Sequence, residues 1–226
     1  MSDYLKDDNG KVVRCFGHET LCIEPWGKDS FRVRATYQDA FLSDNWALLP
    51  PAASDVSIKI DGDAATITNG NIRAEISDEG KLTFLNQKNE VLLEEYVRNR
   101  NRLDRYCSPL SIRSRDFRPI LGGDFELAMR FESVPDEQLF GMGQYQHDFL
   151  DLKGCVLELA HRNAQASVPF AISSLGYGFL WNNPAIGQVD FGKNMTVWAS
   201  RATKQLDYYI TAGDTPAAIV ENYARA

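Results

Sequence analysis

The chain carries three imidazoles, His18, His147 and His161. None stands in an H-x-x-x-H or H-E-x-x-H spacing. The cysteines, Cys15, Cys22, Cys107 and Cys155, form no C-x-x-C pair. Metal sites need such ligands in clusters, so no metal is expected, and no other cofactor either. His147 and Asp148 are adjacent, but neighbours in a strand point to opposite faces, so adjacency alone does not orient the imidazole. The nucleophile elbow G-x-S-x-G is absent, and so is a phosphate loop of the form G-x-x-x-x-G-K-[ST]. Gly141-Met142-Gly143 lacks the third glycine of a dinucleotide loop. Acids are plentiful, at 31 Asp plus Glu. The carboxylate pair of a glycosidase is defined by separation in space, though, not in sequence. Most acids here alternate with apolar residues, which assigns them to solvent.

The densest unusual stretch is 139–192. It holds Leu139-Phe140-Gly141-Met142-Gly143-Gln144, His161-Arg162-Asn163, Val168-Pro169-Phe170, Gly176-Tyr177-Gly178, Leu180-Trp181-Asn182-Asn183-Pro184 and Asp190-Phe191-Gly192. Glycines beside aromatics and amides suit loops that approach a ligand closely. Flat rings with amide donors also suit polyols, where a ring stacks and hydroxyls hydrogen-bond. Core packing is the competing and favoured reading for Trp181, Tyr177, Trp198 and Phe170.

The elements that must position these residues are strands. Phe31, Val33 and Ala35 alternate with Arg32 and Arg34, and Val56, Ile58 and Ile60 with Ser57, Lys59 and Asp61. Ile72, Ala74 and Ile76 alternate with Arg73 and Glu75, and Phe125, Leu127, Met129 and Phe131 with Glu126, Ala128 and Arg130. Each run reads as a half-buried strand with one wet face. Asp61-Gly62-Asp63 and Asn69-Gly70-Asn71 mark hairpins, because glycine accepts the positive φ of primed turns. Asn86-Gln87-Lys88-Asn89 reads as a hairpin tip, and Gly122-Gly123 precedes the Phe125 strand. Frequent short strands indicate a sandwich or barrel. Thr215-Pro216 starts a helix, with Ile219, Val220 and Tyr223 at helical spacing. Pro50-Pro51 cannot sit in a central strand, so residues 1–50 read as an opening strand pair of the same sandwich. The arginines Arg98, Arg100, Arg102 and Arg105 read as a solvated loop or interdomain contact rather than a phosphate grip.

Length and charge narrow the classes. The 226 residues hold 24 Lys plus Arg against 31 Asp plus Glu, a net charge of −7. An acidic chain disfavours nucleic acid and anionic membranes as partners. No apolar run approaches the ~20 residues of a membrane helix. The acidic, polar start lacks a secretory signal, so a cytoplasmic location is expected, with the cysteines as small, buried, reduced thiols. A sandwich plus a (β/α)₈ barrel does not fit, since the barrel alone takes about 250 residues.

The order of the strings in 139–184 resembles glycoside hydrolase family 31, the α-glucosidases and α-xylosidases. Asn45-Trp46-Ala47-Leu48-Leu49-Pro50, Ile72-Arg73-Ala74-Glu75-Ile76, Ile120-Leu121-Gly122-Gly123-Asp124 and Asp207-Tyr208-Tyr209-Ile210, with Gly213 and Pro216, extend the likeness over residues 12–224. The resemblance implies an all-β fold, an antiparallel galactose-mutarotase-like supersandwich with a short C-terminal helix. Residues 1–213 would form the sandwich, and 214–226 would begin a helix leading to a catalytic barrel absent from this chain. It also implies a retaining mechanism whose two aspartates lie on that barrel. Their W-x-D-M-x-E motif is absent here, so no catalytic residue is expected in these 226 residues. A sandwich loop would shape the sugar pocket, which maps substrate contact onto His161, Arg162 and Asn163. Many members carry Asp where Asn163 stands. The amide keeps its hydrogen bonds but has no charge, and this favours a sugar other than glucose. The implied partners are an α-linked oligosaccharide, through the parent enzyme, and the barrel itself. A carbohydrate-binding module and a stand-alone mutarotase using His147 or His161 are the rival readings. A sandwich built to sit on a barrel should also expose apolar surface when isolated.

Overall fold

The computed structural model describes residues 4–101 and 105–226. Arg102 of the arginine strip and the first three residues of the acidic start lie outside the described residues. In chain order the strands are β1 (Leu5–Asp7), β2 (Val12–Phe16), β3 (Glu19–Pro25), β4 (Ser30–Thr36), β5 (Val56–Asp61) and β6 (Ala64–Asn69). Then come β7 (Ile72–Ile76), β8 (Leu82–Asn86), β9 (Val91–Glu94), β10 (Arg115–Pro119), β11 (Phe125–Glu132) and β12 (Leu139–Gln144). The last are β13 (Val156–Leu159), β14 (Ala166–Ser173), β15 (Tyr177–Trp181), β16 (Gly187–Phe191), β17 (Met195–Thr203) and β18 (Gln205–Ala212), followed by helix α1 (Pro216–Arg225). The opening segment thus holds four strands, not a pair.

An eight-stranded sheet runs β1-β2-β3-β4-β18-β15-β14-β12. Two five-stranded sheets run β10-β11-β17-β16-β13 and β5-β6-β7-β8-β9. Strand pairing within all three is antiparallel. One apolar core joins the sheets, with rings meeting across it: Phe84 to Tyr208 at 6.4 Å, Phe131 to Phe179 at 5.4 Å and Phe131 to Tyr208 at 5.9 Å between centroids. The hairpins fall where the glycines place them. Gly62 and Gly70 take φ of 61° and 59° in the two-residue loops before β6 and β7.

The expected alternation holds in β7 and β11, where Ile72, Ala74, Ile76, Leu127, Met129 and Phe131 are buried. It fails in the middle of the eight-stranded sheet, where both faces of β4 and β18 are covered. Segment 37–49 lies over β4: the Phe41 ring packs on the Arg34 guanidinium at 4.8 Å, and the Leu42 N–H donates to Gln205 Oε1 at 2.9 Å. Arg32 is therefore buried rather than wet, bonded to Asp207 by Nε at 3.0 Å and Nη2 at 2.6 Å, while Arg34 donates to Glu24 at 2.6 Å. A buried guanidinium is tolerated only with such a partner.

Helix α1 covers the outer face of the same sheet. Thr215 caps it, its hydroxyl accepting from the Ala218 N–H at 3.2 Å. Ile219 buries against Trp26, Leu48, Phe170, Leu180 and Tyr209, and Tyr223 stacks on Phe170 at 3.9 Å. Val220 points outward instead, since the face one residue round the helix turns to solvent.

Candidate functional site

Residues 160–165 form a corner, because β13 belongs to a five-stranded sheet and β14 to the eight-stranded one. The chain reverses there through the Arg162–Gln165 bridge, where the Gln165 N–H donates to the Arg162 carbonyl at 3.2 Å. Gln165 Nε2 also donates to the Ala160 carbonyl at 3.1 Å. Below the turn, the Tyr145 hydroxyl donates to the Glu158 carbonyl at 2.8 Å and lies 2.8 Å from the Ser167 hydroxyl. Tyr145 thereby ties the two strands together under the corner.

His161, Arg162 and Asn163 are all exposed on this turn, so the structure brings together the three residues singled out in the sequence. Arg162 reaches back to Glu158, with Nε at 2.9 Å and Nη2 at 2.7 Å, and this contact holds the Glu158 carboxyl below its usual range. The turn thus presents an imidazole, an oriented guanidinium and an amide outward on a fixed base. Those groups can hydrogen-bond hydroxyls of a sugar. His147, the other imidazole considered for mutarotase chemistry, lies in the loop after β12 between the rings of Tyr145 and Phe149, and its Nδ1 accepts from the Phe149 N–H at 3.3 Å.

Other residues of the 139–192 stretch are structural. Trp181, Tyr177, Trp198 and Phe170 are core residues, and Trp181 Nε1 donates to Ser200 Oγ at 3.1 Å. Gly141-Met142-Gly143 is a bulge in β12 where all three residues have positive φ. A Cβ on Gly143 would meet the Ala166 carbonyl oxygen at 2.2 Å, and one on Gly141 the Phe170 carbonyl oxygen at 2.7 Å. Glycine is required there by the close passage of β14.

Several acids assigned to solvent by alternation are buried in bonds that hold the sheets. Glu137 accepts from Ser173 at 2.6 Å, Tyr177 at 2.7 Å and Lys153 at 2.9 Å. Glu95 accepts from the Leu82 N–H at 3.1 Å and Ser114 at 2.9 Å, and pairs with Arg115. Burial pushes the Glu95 carboxyl up against the pull of Arg115, and likewise Asp207 against Arg32. Period-2 patterning could not reveal these, because it says nothing about what lies over the second face of a strand. The arginine strip is also internal in part. Arg98 grips Glu132 at 2.6 and 3.0 Å, Arg105 bonds Glu94 at 2.7 Å, and Arg100 donates to the Pro109 carbonyl at 2.8 Å.

Of the four cysteines only Cys22 is buried, and Cys15 and Cys107 are exposed, which corrects the expectation of four buried thiols. Among the described residues no group of three or more His, Cys, Asp or Glu could hold a metal ion. No described helix is long and apolar enough to cross a membrane.

Residues 20–190 match the family described as the glycosyl hydrolase 31 N-terminal galactose mutarotase-like domain. A protein named as an uncharacterized family 31 glucosidase, from Pseudescherichia vulneris, is 48% identical over the whole of this chain and 44% of its own length. Alpha-xylosidase A of Aspergillus niger is 28% identical over 87% of this chain and 28% of its own. Among solved structures, a family 31 alpha-xylosidase from a soil metagenome, complexed with xylose, superposes with a TM-score of 0.96 at 51% identity. That match covers 98% of this chain and 34% of the other. The chain therefore spans less than half the length of these relatives.

Proposed function

Because the chain belongs to the family of glycosyl hydrolase 31 N-terminal galactose mutarotase-like domains, we propose that it is the N-terminal sandwich of a retaining α-glycosidase. An α-xylosidase is the favoured parent and an α-glucosidase the alternative. The observation that carries this reading is the superposition on the metagenomic alpha-xylosidase at 51% identity, over only a third of that chain. Residues 1–213 are the sandwich, and 214–226 begin the connection to a catalytic barrel that supplies both reacting carboxylates. Exposed Trp46 and Leu49 support a covered face beside α1, since the Leu49 N–H bonds the Ala226 carbonyl. The unpaired cysteines fit a reducing cytoplasm.

In this reading the turn His161-Arg162-Asn163 reaches the sugar pocket of the barrel and contacts an α-linked oligosaccharide. The sandwich orients and encloses the sugar, and the carboxylates of the barrel break the bond. Asn163 hydrogen-bonds hydroxyls without adding charge, and Arg162 is held by Glu158 so that the turn keeps one shape. The test uses the chain extended by the coding sequence that follows it in frame, assayed on aryl α-xyloside and aryl α-glucoside. Asn163→Ala should raise KM for the preferred substrate by about tenfold, the cost of roughly one lost hydrogen bond. Unchanged kinetics in Asn163→Ala and in His161→Ala would remove the turn from the pocket.

A further inference from the structure

A second feature lies away from the 161–163 turn. The β2–β3 hairpin, the β7–β8 turn and residues 113–115 enclose a cavity of about 370 Å³. Its lining includes Arg14, Phe16, His18, Gly80, Lys81 and Arg113. The cations around it are not equivalent. Lys81 is neutralised by Glu94 at 2.6 Å, and the neighbouring Arg115 by Glu19 at 3.0 Å and by Glu95. Arg14 differs. It is 6% exposed, yet among the described residues it forms no ion pair. Its one hydrogen bond is Nη2 to the Asp78 carbonyl at a long 3.4 Å, and its guanidinium lies over the Phe16 ring at 4.8 Å.

A guanidinium offers five N–H donors and almost never stays buried without an acid partner. Arg115 repels it as well, so burial first and Arg115 second both pull its pKa down. The wall is shaped around this group: Gly80 has φ +85°, and a Cβ there would lie 2.5 Å from Arg14 Nη1. At the rim, exposed Arg113 likewise has no hydrogen-bond or ion-pair partner for its side chain among the described residues, and exposed His18 stands nearby. Glu19 and Glu79 also line the cavity, and Glu19 is taken up by Arg115. On a chain of net charge −7, this is a local excess of unpaired positive charge facing a cavity of monosaccharide size.

We infer that this cavity is a binding site for a small oxyanion, a carboxylate or phosphate group on a ligand no larger than a monosaccharide, gripped by Arg14 and met at the rim by Arg113. The planar fork of Arg14 matches two oxygens of such a group, and burial makes the charge-assisted bonds strong. The exposed ring of Phe16 offers an apolar edge to the ligand body.

The test is thermal unfolding and calorimetry of the 226-residue chain with inorganic phosphate, with glucuronate, with xylose as the neutral control, and with chloride at matched ionic strength. With an anion at about ten times its Kd, the unfolding midpoint should rise by roughly 3–6 °C above the chloride control. Xylose should do nothing. A response to phosphate alone assigns the site to phosphate groups, and one to glucuronate assigns it to carboxylates. Arg14→Gln should weaken binding by about tenfold or more. If Arg14→Gln does not fold, Arg113→Gln at the surface decides, with an expected several-fold loss. No response above chloride, an equal response to xylose, or undiminished binding in the decisive variant would overturn the site.

Discussion

The Cys22 thiol is an internal pH probe of the sandwich. It sits in β3, 4% exposed, and burial, aided by the nearby Glu24, pushes its pKa from 9.0 up to about 11. Arg34 and Lys11 pull the other way but do not prevail. The sign follows from linkage. The unfolded chain ionises first, near pH 9, while the folded chain holds the proton to about pH 11. The stability carried by the neutral thiol is therefore complete below pH 9 and is lost as pH rises. A shift of two units corresponds to about 2.7 kcal/mol in full, of which about 1.4 kcal/mol is gone at pH 10. Tyrosines buried in the core, such as Tyr177 and Tyr208, also have raised pKa values, so the chain alone does not isolate the effect. Cys22→Ala does. Urea unfolding of both proteins from pH 7.5 to 10 should show the chain losing about 1.4 kcal/mol more than the variant, on top of a constant cavity cost. A difference that stays constant within about 0.4 kcal/mol across that range would refute the reasoning.

Other substitutions probe the charge network and the bulge. Arg115 joins Glu19, Glu95 and the Gly80 carbonyl across the inside of the fold. Arg115→Met strands a fully buried carboxylate and should cost at least about 3 kcal/mol in urea unfolding, whereas a loss under about 1 kcal/mol would mean the network is solvated. Gly143→Ala forces a side chain into the Ala166 carbonyl at φ +88° and should destabilise by more than about 1 kcal/mol. Gly154→Ala, with φ +88° and nothing near its Cβ, pays only the strain of the backbone and should cost less.

The β-sandwich was legible because alternation and turn glycines are local signals. Ile72 to Ile76 and Phe125 to Phe131 read correctly for that reason. Arg32 did not, because its environment is set by segment 37–49 and by Asp207, both distant in sequence from β4 or separated by a loop. Glu137 and Glu95 failed in the same way: a buried carboxylate and a solvated one look alike until the donors that surround it are placed. The aromatic rings of 170–198 were read as core, and they are. The turn at 161–163 was legible only through resemblance, since three exposed polar residues carry no local signal of a sugar. The unpaired Arg14 was invisible, because its distinction is a missing partner rather than a motif.

The most direct test of the central claim is hydrolysis itself. The 226-residue chain and the same chain extended by its downstream coding frame are each incubated with aryl α-xyloside, and release of the aryl alcohol and the anomer first formed are followed. The account predicts no hydrolysis by the chain alone and hydrolysis with retention of configuration by the extended protein. Turnover by the chain alone, or a downstream frame that encodes no hydrolase, would contradict it.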